Sequence, residues 1–367
     1  MKIKAAVARA KHAPLSLETL ELEAPRANEI LVKLVATGIC HTDIGMRDQV
    51  YPVPQPVVLG HEGAGIVEQV GAGVTKVAPG DHVVMSFNSC GHCDSCNEHL
   101  PHYCHQFFEY NFASTRPDGS TALSKDGETI HSNFFGQSSF ATHALCHERN
   151  VIKVRADAPL EQLGPLACGI QTGAGAVINA LKVGPGRSIA VFGTGSVGLS
   201  AVMAARLVGA STIIAVDLNQ ERLAMARALG ATHTIDPGKE SALDAVKAIS
   251  TAGVNFTFET TGIPAVIRTA VEALAPRGVC GMVGAAPLGT EVALDTMDIM
   301  TQGKTFRGIV EGEATSDVFI PQLIDLHMQG RFPFDRLIKF YPFDAINQAI
   351  EDSEAGRTIK PVIRMPA

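Results

Sequence analysis

The stretch Ser188-Ile189-Ala190-Val191-Phe192-Gly193-Thr194-Gly195-Ser196-Val197-Gly198 decides the fold. Five strand-like residues run into a G-x-G-x-x-G turn that opens a helical pattern, and the next strand-like run, 212–216, ends on Asp217, about twenty residues beyond the glycines. Glycines at Gly193, Gly195 and Gly198 permit a tight turn and let backbone N–H groups approach a pyrophosphate at a helix N-terminus. A carboxylate at Asp217 suits the hydroxyls of an adenosine ribose. A bare G-x-G-x-x-G carries little weight, but strand, helix and acid in this order predict a dinucleotide loop. The charge of Asp217 favours NAD over NADP, whereas Arg222, five positions on, works in the other direction.

Working outward, further strand candidates at 231–235, 254–258 and 278–283 are separated by helix-length segments. That alternation implies right-handed crossovers and a parallel sheet, so residues 166–305 are expected to form an inserted, doubly wound α/β domain of the Rossmann kind. Residues 1–165 are instead rich in short strand-like runs punctuated by Gly and Pro, including 30–35, 65–70 and 81–85, which predicts a mostly β domain. The tail, 306–367, returns to mixed character, and its strand-like runs 305–310 and 361–364 are expected to rejoin the first domain.

Length and composition agree with two domains. The chain has 367 residues, of which 46% are hydrophobic and 18% charged, which excludes a disordered chain. A formal charge of −7 offers no field for a nucleic-acid backbone, so no such partner is expected. The apolar start is broken by Arg9, Lys11 and His12, and the stretch 199–216 by Arg206, Ser211 and Thr212. Neither a secretory signal nor a membrane span follows, and the expectation is a soluble cytoplasmic protein.

Four of the eight cysteines, Cys90, Cys93, Cys96 and Cys104, crowd into one loop with Gly91 and Pro101. Four thiolates close a tetrahedral shell with no open position, which predicts a structural zinc rather than a pair of disulfides in an intracellular chain. His92, His99, His102 and His105 nearby are expected to face solvent. A second set is dispersed: Cys40, then His61-Glu62, then Cys168. Two thiolates and one imidazole would leave the fourth position open for water or a substrate oxygen, as a catalytic zinc requires, although spacing alone does not bring them together. Singly, each cysteine reads equally as a buried small apolar residue, the reading given to Cys146 and Cys280.

Taken together, these residues resemble the zinc-dependent medium-chain alcohol dehydrogenases over essentially the whole chain: Gly60-His61-Glu62 with Gly65, Gly71 and Val74, the four-cysteine lobe and the dinucleotide loop stand in the family's order. The resemblance implies a GroES-like β domain built from both chain ends around an inserted Rossmann domain. It also implies two zinc ions per chain, an NAD cofactor and a homodimer or homotetramer. Cys40, His61 and Cys168 would hold the catalytic zinc, with Glu62 behind the metal and Asp43 on the far nitrogen of His61. Thr42 would take the hydroxyl position beside the bound alcohol and pass its proton outward as hydride moves to the nicotinamide. His41 and Arg357 would meet the pyrophosphate, and Thr172 and Val197 would pack the nicotinamide ring. Where several relatives end the proton relay on a histidine, this chain has Gly45, which leaves water, His41 or another group.

The run Phe134-Phe135-Gly136-Gln137-Ser138-Ser139-Phe140 looks like the aryl-alcohol (benzyl alcohol) dehydrogenase branch, whose neighbours use allylic terpenoid alcohols such as geraniol. Phe134, Phe135, Tyr51 and Phe87 are then expected to line a slot for a flat aromatic or allylic alcohol or its aldehyde. Phe107, Phe108 and Phe112 are assigned to the core. The alternatives are a short aliphatic or glutathione-adduct alcohol as substrate and, from another class, a crystallin-like structural protein.

Overall fold

The computed structural model describes residues 1–366. Contacts divide them into two units. The first comprises Met1–Cys168, Thr315–Met328 and the chain from Asp335 onward; the second comprises Gly169–Ala314 and Gln329–Phe334.

Within the first unit, a five-stranded sheet carries Lys2–Ala8 and Ser16–Leu22 at its centre. A seven-stranded sheet contains β1 (Glu29–Gly38), β2 (Glu62–Val70), β3 (His82–Met85), β4 (His143–His147) and β5 (Val151–Lys153), and adds the two C-terminal strands Ile338–Pro342 and Lys360–Arg364. Strand β1 is buried along most of its length because three antiparallel partners cover it: β2, β4 and the strand Lys360–Arg364. The register matters for chemistry. Gly38 lies opposite both Glu62 and Val362, so the segments that carry Cys40, His61 and Lys360 converge at one end of the sheet.

The second unit is one parallel sheet of six strands among the described residues: β6 (Ser188–Phe192), β7 (Thr212–Val216), β8 (His233–Ile235), β9 (Val254–Glu259), β10 (Leu274–Met282) and β11 (Thr305–Gly308). Their order, β8-β7-β6-β9-β10-β11, reverses direction between β6 and β9, the switch point of a doubly wound sheet. Ile189, Ala190 and Val191 are fully buried, as expected of a strand covered on both faces. The expected α/β architecture is therefore present.

The bounds differ from the expectation at three places: residues 166–168 lie with the first unit, and 306–314 and 329–334 with the second. The run beginning at Thr305 does not rejoin the β domain; β11 pairs in parallel with β10, Thr305 opposite Val279, and completes the sixth strand. The physical reason is local: the helix Thr296–Gln302 supplies the crossover a further parallel strand needs, so residues 306–314 belong with the second unit. The strand Lys360–Arg364 does return to the first unit, against β1. No helix among the described residues is long and apolar enough to cross a membrane.

Candidate active site

Helix α1 (His41–Arg47) starts immediately after Cys40, which is its N-cap. Its third residue, Asp43, folds back so that Oδ2 accepts from the Cys40 backbone N–H at 2.9 Å. The other oxygen, Oδ1, accepts from the Gly60 N–H at 3.1 Å and bonds His61 Nδ1 at 2.8 Å. One buried carboxylate thus fixes two chain segments and the imidazole at once, a use of the capping position that also orients a metal-ligating ring. His61 Nε2 remains buried with no hydrogen bond among the described residues.

The ligand atoms of Cys40, His61, Glu62 and Cys168 lie within 4.8 Å of one another. Interaction with the Cys168 thiol, and then with His61, holds the Cys40 thiol well below its ordinary range although desolvation opposes this. For His61, burial opposes a charged ring, and the Asp43 carboxylate with the Cys40 sulfur outweighs it, lifting the imidazole above its usual value. An orphaned buried imidazole nitrogen, two sulfurs and a carboxylate form a donor set that fits zinc, with the carboxylate as an exchangeable fourth partner. Thr42 Oγ1 lies 3.7 Å from Cys40 Sγ, and His41 is exposed at the start of the helix.

Sequence reasoning missed Lys360. Its ammonium is buried, donates to both oxygens of Glu62 at 2.8 and 3.0 Å, and donates to the Ile39 carbonyl at 3.1 Å. Burial works against the charge on Lys360, but the Glu62 carboxylate outweighs it and keeps the ammonium protonated. Burial also lifts the Glu62 carboxyl, to about 7, against the pull of Lys360. Gly38 makes room for this pair, since a Cβ there would stand 1.9 Å from Glu62 Oε2. The available signal was a lone lysine at the head of an apolar strand, which burial would allow only beside a carboxylate.

The polar members of the run 134–140 brace the segments that carry the candidate metal ligands. Gln137 Nε2 donates to the carbonyls of His61 (3.0 Å) and Met85 (2.9 Å), while its Oε1 accepts from the Gly63 N–H at 3.1 Å. Ser138 donates to the Val58 carbonyl and Ser139 bonds Thr37. Ser86 ties down the segment before Cys168 through the Ala167 carbonyl at 2.6 Å. The aromatic members surround the imidazole: Phe135 stacks on His61 with centroids 4.5 Å apart, and Phe134 meets it edge-on at 5.6 Å. Both rings, and Phe87, are buried, whereas Tyr51 is half-buried. Phe107 and Phe112 join this cluster, Phe112 packing at 5.1 Å from Phe135. Phe108, expected in the core, is instead 64% exposed, its ring tilted against Phe112 at 5.1 Å, because its position on the short helix Phe107–Phe112 faces outward.

The four-cysteine loop brings Cys90, Cys93, Cys96 and Cys104 together as free thiols. The Cys90–Cys96 and Cys93–Cys104 sulfurs are 3.9 and 4.0 Å apart. A disulfide needs about 2.05 Å, whereas a tetrahedron with bonds of about 2.3 Å has edges of roughly 3.8 Å. Backbone N–H groups of Cys93 and His105 point at Cys90 and Cys93 sulfurs. The N–H groups of His105 and Cys96 bring the Cys93 thiol down to about 6, while burial pushes Cys104 up to about 12. This donor set fits a closed zinc site. His102, expected to face solvent, is instead buried against Tyr103, because the turn Pro101–Tyr103 folds it under the loop; His92, His99 and His105 are exposed.

In the second unit, Gly193 adopts φ +89° and Gly198 approaches its carbonyl so closely that a Cβ would stand 1.9 Å away. Gly195 faces open space, with no heavy atom within 4 Å of where a Cβ would stand. Asp217 Oδ2 accepts from the Thr194 N–H (2.6 Å) and hydroxyl (2.8 Å), and Oδ1 accepts from the Asn219 N–H at 2.8 Å. The acid therefore also staples the loop it follows, a role for Thr194 that the motif does not announce. Arg222 is half-buried, its Nε without a hydrogen bond among the described residues. The loop and its carboxylate fit a dinucleotide. Arg357 is bonded to Asp352 at 2.9–3.0 Å on the exposed side of the first unit.

Comparison with known proteins agrees with this geometry. Residues 26–156 match the alcohol dehydrogenase GroES-like domain, and residues 196–327 match the zinc-binding dehydrogenase family. The chain is 48% identical to a geraniol dehydrogenase from Castellaniella defragrans over 98% of this chain and 97% of that protein. Among solved structures, an alcohol dehydrogenase zinc-binding domain protein from Burkholderia ambifaria is 55% identical with a TM-score of 0.99. The benzyl alcohol dehydrogenase of Acinetobacter calcoaceticus is 50% identical with a TM-score of 0.97; each match covers 100% of both chains.

Proposed function

Because this chain belongs to the zinc-dependent medium-chain alcohol dehydrogenases, we propose that it reversibly oxidises primary alcohols whose hydroxyl carbon is attached to an aromatic ring or a carbon–carbon double bond, with hydride passing to NAD. Benzyl alcohol and geraniol, the substrates named for two of its relatives, share that feature. The observation that carries the reading is the pair of phenylalanines against His61, with Phe135 stacked on the imidazole and Phe134 edge-on. Such a wall suits a flat unsaturated substrate, each ring contact adding about 0.5–1.5 kcal/mol beyond area burial.

Bound zinc supplies Lewis acidity, which favours loss of the alcohol proton near neutral pH. Cys40, His61 and Cys168 would hold the metal, and Asp43, bonded to Nδ1 of His61, would keep the ring proton there and leave Nε2 available as the donor. Thr42 takes the substrate proton on Oγ1 and passes it outward. With Gly45 where relatives carry a histidine, the path from Thr42 continues through water or the exposed His41. Lys360 neutralises Glu62 and so limits how strongly that carboxylate competes for the metal. In the nucleotide unit, Asp217 accepts from the adenosine ribose and disfavours a 2′-phosphate, Arg222 contacts the same ribose, and Val197 with Thr172 packs the nicotinamide. On the family resemblance, His41 and Arg357 are assigned to the cofactor pyrophosphate. The eight free thiols suit a reducing cytoplasm, and β11, the terminal strand of its sheet, suits assembly of a homodimer or homotetramer.

The test is an initial-rate panel of benzyl alcohol, geraniol, ethanol and hydroxymethylglutathione, with NAD and with NADP, on protein of measured zinc content. The unsaturated alcohols should exceed ethanol in kcat/KM by more than about 100-fold, the combined effect of apolar burial and ring contacts. Preference for ethanol or the glutathione adduct overturns the substrate reading, and preference for NADP overturns the role of Asp217.

A further inference from the structure

Three consecutive residues just beyond β11 adopt left-handed backbone: Glu311 (φ 49°), Gly312 (φ 65°) and Glu313 (φ 49°). Only the middle one is a glycine, so the two glutamates hold a conformation that side chains with a Cβ rarely adopt. Strain of this kind persists where the surroundings over-determine it and gathers at binding sites. The surroundings here are helix α2 (Gly169–Gly175). A Cβ on Gly312 would stand 2.5 Å from the Gln171 carbonyl, and one on Gly175 would stand 2.4 Å from the Gly312 carbonyl, so turn and helix interlock through glycines.

The two glutamates then diverge. Glu313 meets the guanidinium of Arg307. Glu311 is buried, and its Oε2 accepts from Gln171 Nε2 at 3.1 Å and from the Thr172 hydroxyl at 3.3 Å. An amide N–H and a hydroxyl thus converge on one carboxyl oxygen, which serves as acceptor to both. Its location is set by topology. Glu311 follows the C-terminal end of β11, in the half of the sheet beyond the switch point, while α2 reaches the dinucleotide loop: Gly173 lies so close to the Val197 carbonyl that a Cβ would stand 2.0 Å from it. In a doubly wound sheet the second mononucleotide lies outside the carboxyl ends of this second half.

We propose that Glu311 is a specificity-determining residue of the nicotinamide subsite, its carboxylate favouring the oxidised, cationic pyridinium ring over the neutral reduced ring. The inference rests on the reading of the site as one for NAD. The ring loses its positive charge on reduction, so a fixed negative charge in a buried setting discriminates between the two forms by Coulomb attraction, while an uncharged acceptor of the same shape does not. The left-handed turn aims the carboxylate inward at Thr172, and the Gly312–Gly175 contact holds it there.

The experiment compares dissociation constants of NAD and NADH, by isothermal titration calorimetry, for the zinc-loaded wild-type protein and for Glu311→Gln and Glu311→Asp. Glu311→Gln should weaken NAD binding by roughly tenfold and leave NADH within about twofold, the asymmetry a single charge gives at this depth. Glu311→Asp, which keeps the charge, should retain most of the wild-type NAD-to-NADH ratio. Equal weakening of both forms by Glu311→Gln, with a lowered melting temperature, makes Glu311 a structural residue of the turn and overturns the proposal. An unchanged ratio overturns it as well. Failure of the wild-type protein to bind either NAD or NADH sinks instead the reading on which it rests.

Discussion

The two sulfur-rich clusters of the first unit reach similar donor sets by opposite routes. Cys90, Cys93, Cys96 and Cys104 come from one loop, two of them only partly buried, and their support is the loop's own backbone N–H groups. Cys40, His61 and Cys168 come from three distant segments, and everything that holds them is buried side chain: Asp43, Gln137, Ser86 and the Glu62–Lys360 pair. The first cluster closes on itself with four thiols. The second has two thiols, one imidazole and a carboxylate already committed to a lysine, which leaves a position for chemistry. An open site needs a rigid scaffold because its ligands do not complete a shell that would order them.

The sharpest way to break this comparison is to remove one ligand from the open cluster. Cys40→Ser or Cys168→Ser should cut turnover to below about 1% of wild type, since the Lewis acid is lost, and should lower zinc from two ions per chain to one. The melting temperature should change little, because Asp43, Gln137 and Ser86 still brace the segments. Retained turnover in either variant removes that residue from the ligand set. Loss of both ions would merge the two sites into one folding unit.

A smaller effect separates ligand from brace. Asp43→Asn keeps the shape of the carboxylate but not its charge, and metal affinity should fall by about 10–100-fold, with turnover following zinc occupancy. It should also change the pH response. In the wild type the proton on His61 is held above the ordinary imidazole range, chiefly by Asp43 against burial, so it competes with zinc as pH falls through and below that raised value. Zinc affinity is therefore greatest above it and drops on acidification. In Asp43→Asn the onset should move to lower pH. Metal titrations carried from acid to well above the ordinary imidazole range read both effects, and an unshifted onset would deny Asp43 its electrostatic role.

How much of this was legible in the sequence follows the same divide. The four-cysteine loop and the G-x-G-x-x-G turn are local, so spacing, read for the turn together with its flanking strand, helix and acid, points to their chemistry. The dispersed ligands could be named, but only the register of β1 against β2 and the C-terminal strand explains why they meet, with Gly38 opposite Glu62 and Val362. Lys360 escaped notice because a buried lysine is recognisable only once its carboxylate partner is placed. The run 134–140 reads as substrate wall, yet half of it is hydrogen-bonded scaffold for His61, a division between faces that a linear motif does not display. The strand at 305–308 was assigned to the wrong unit because a short apolar run carries no mark of which sheet it will join.

The least disruptive change tests the closed cluster. Cys93 is partly exposed, and the N–H groups of His105 and Cys96 favour its thiolate, so Cys93→Ser removes one ligand of four without opening a core cavity. The loop should lose its zinc and become accessible to limited proteolysis. The melting temperature should fall by only about 5 °C, because among the described residues the four cysteines belong to neither of two hydrophobic clusters in the first unit. Turnover per remaining zinc should stay close to wild type, since no hydrogen bond of the Asp43 or Gln137 braces runs through the loop. If Cys93→Ser instead abolished turnover while the open cluster kept its ion, the lobe would be shaping the active site directly. The division between a site that orders itself and one ordered by its scaffold would then fail.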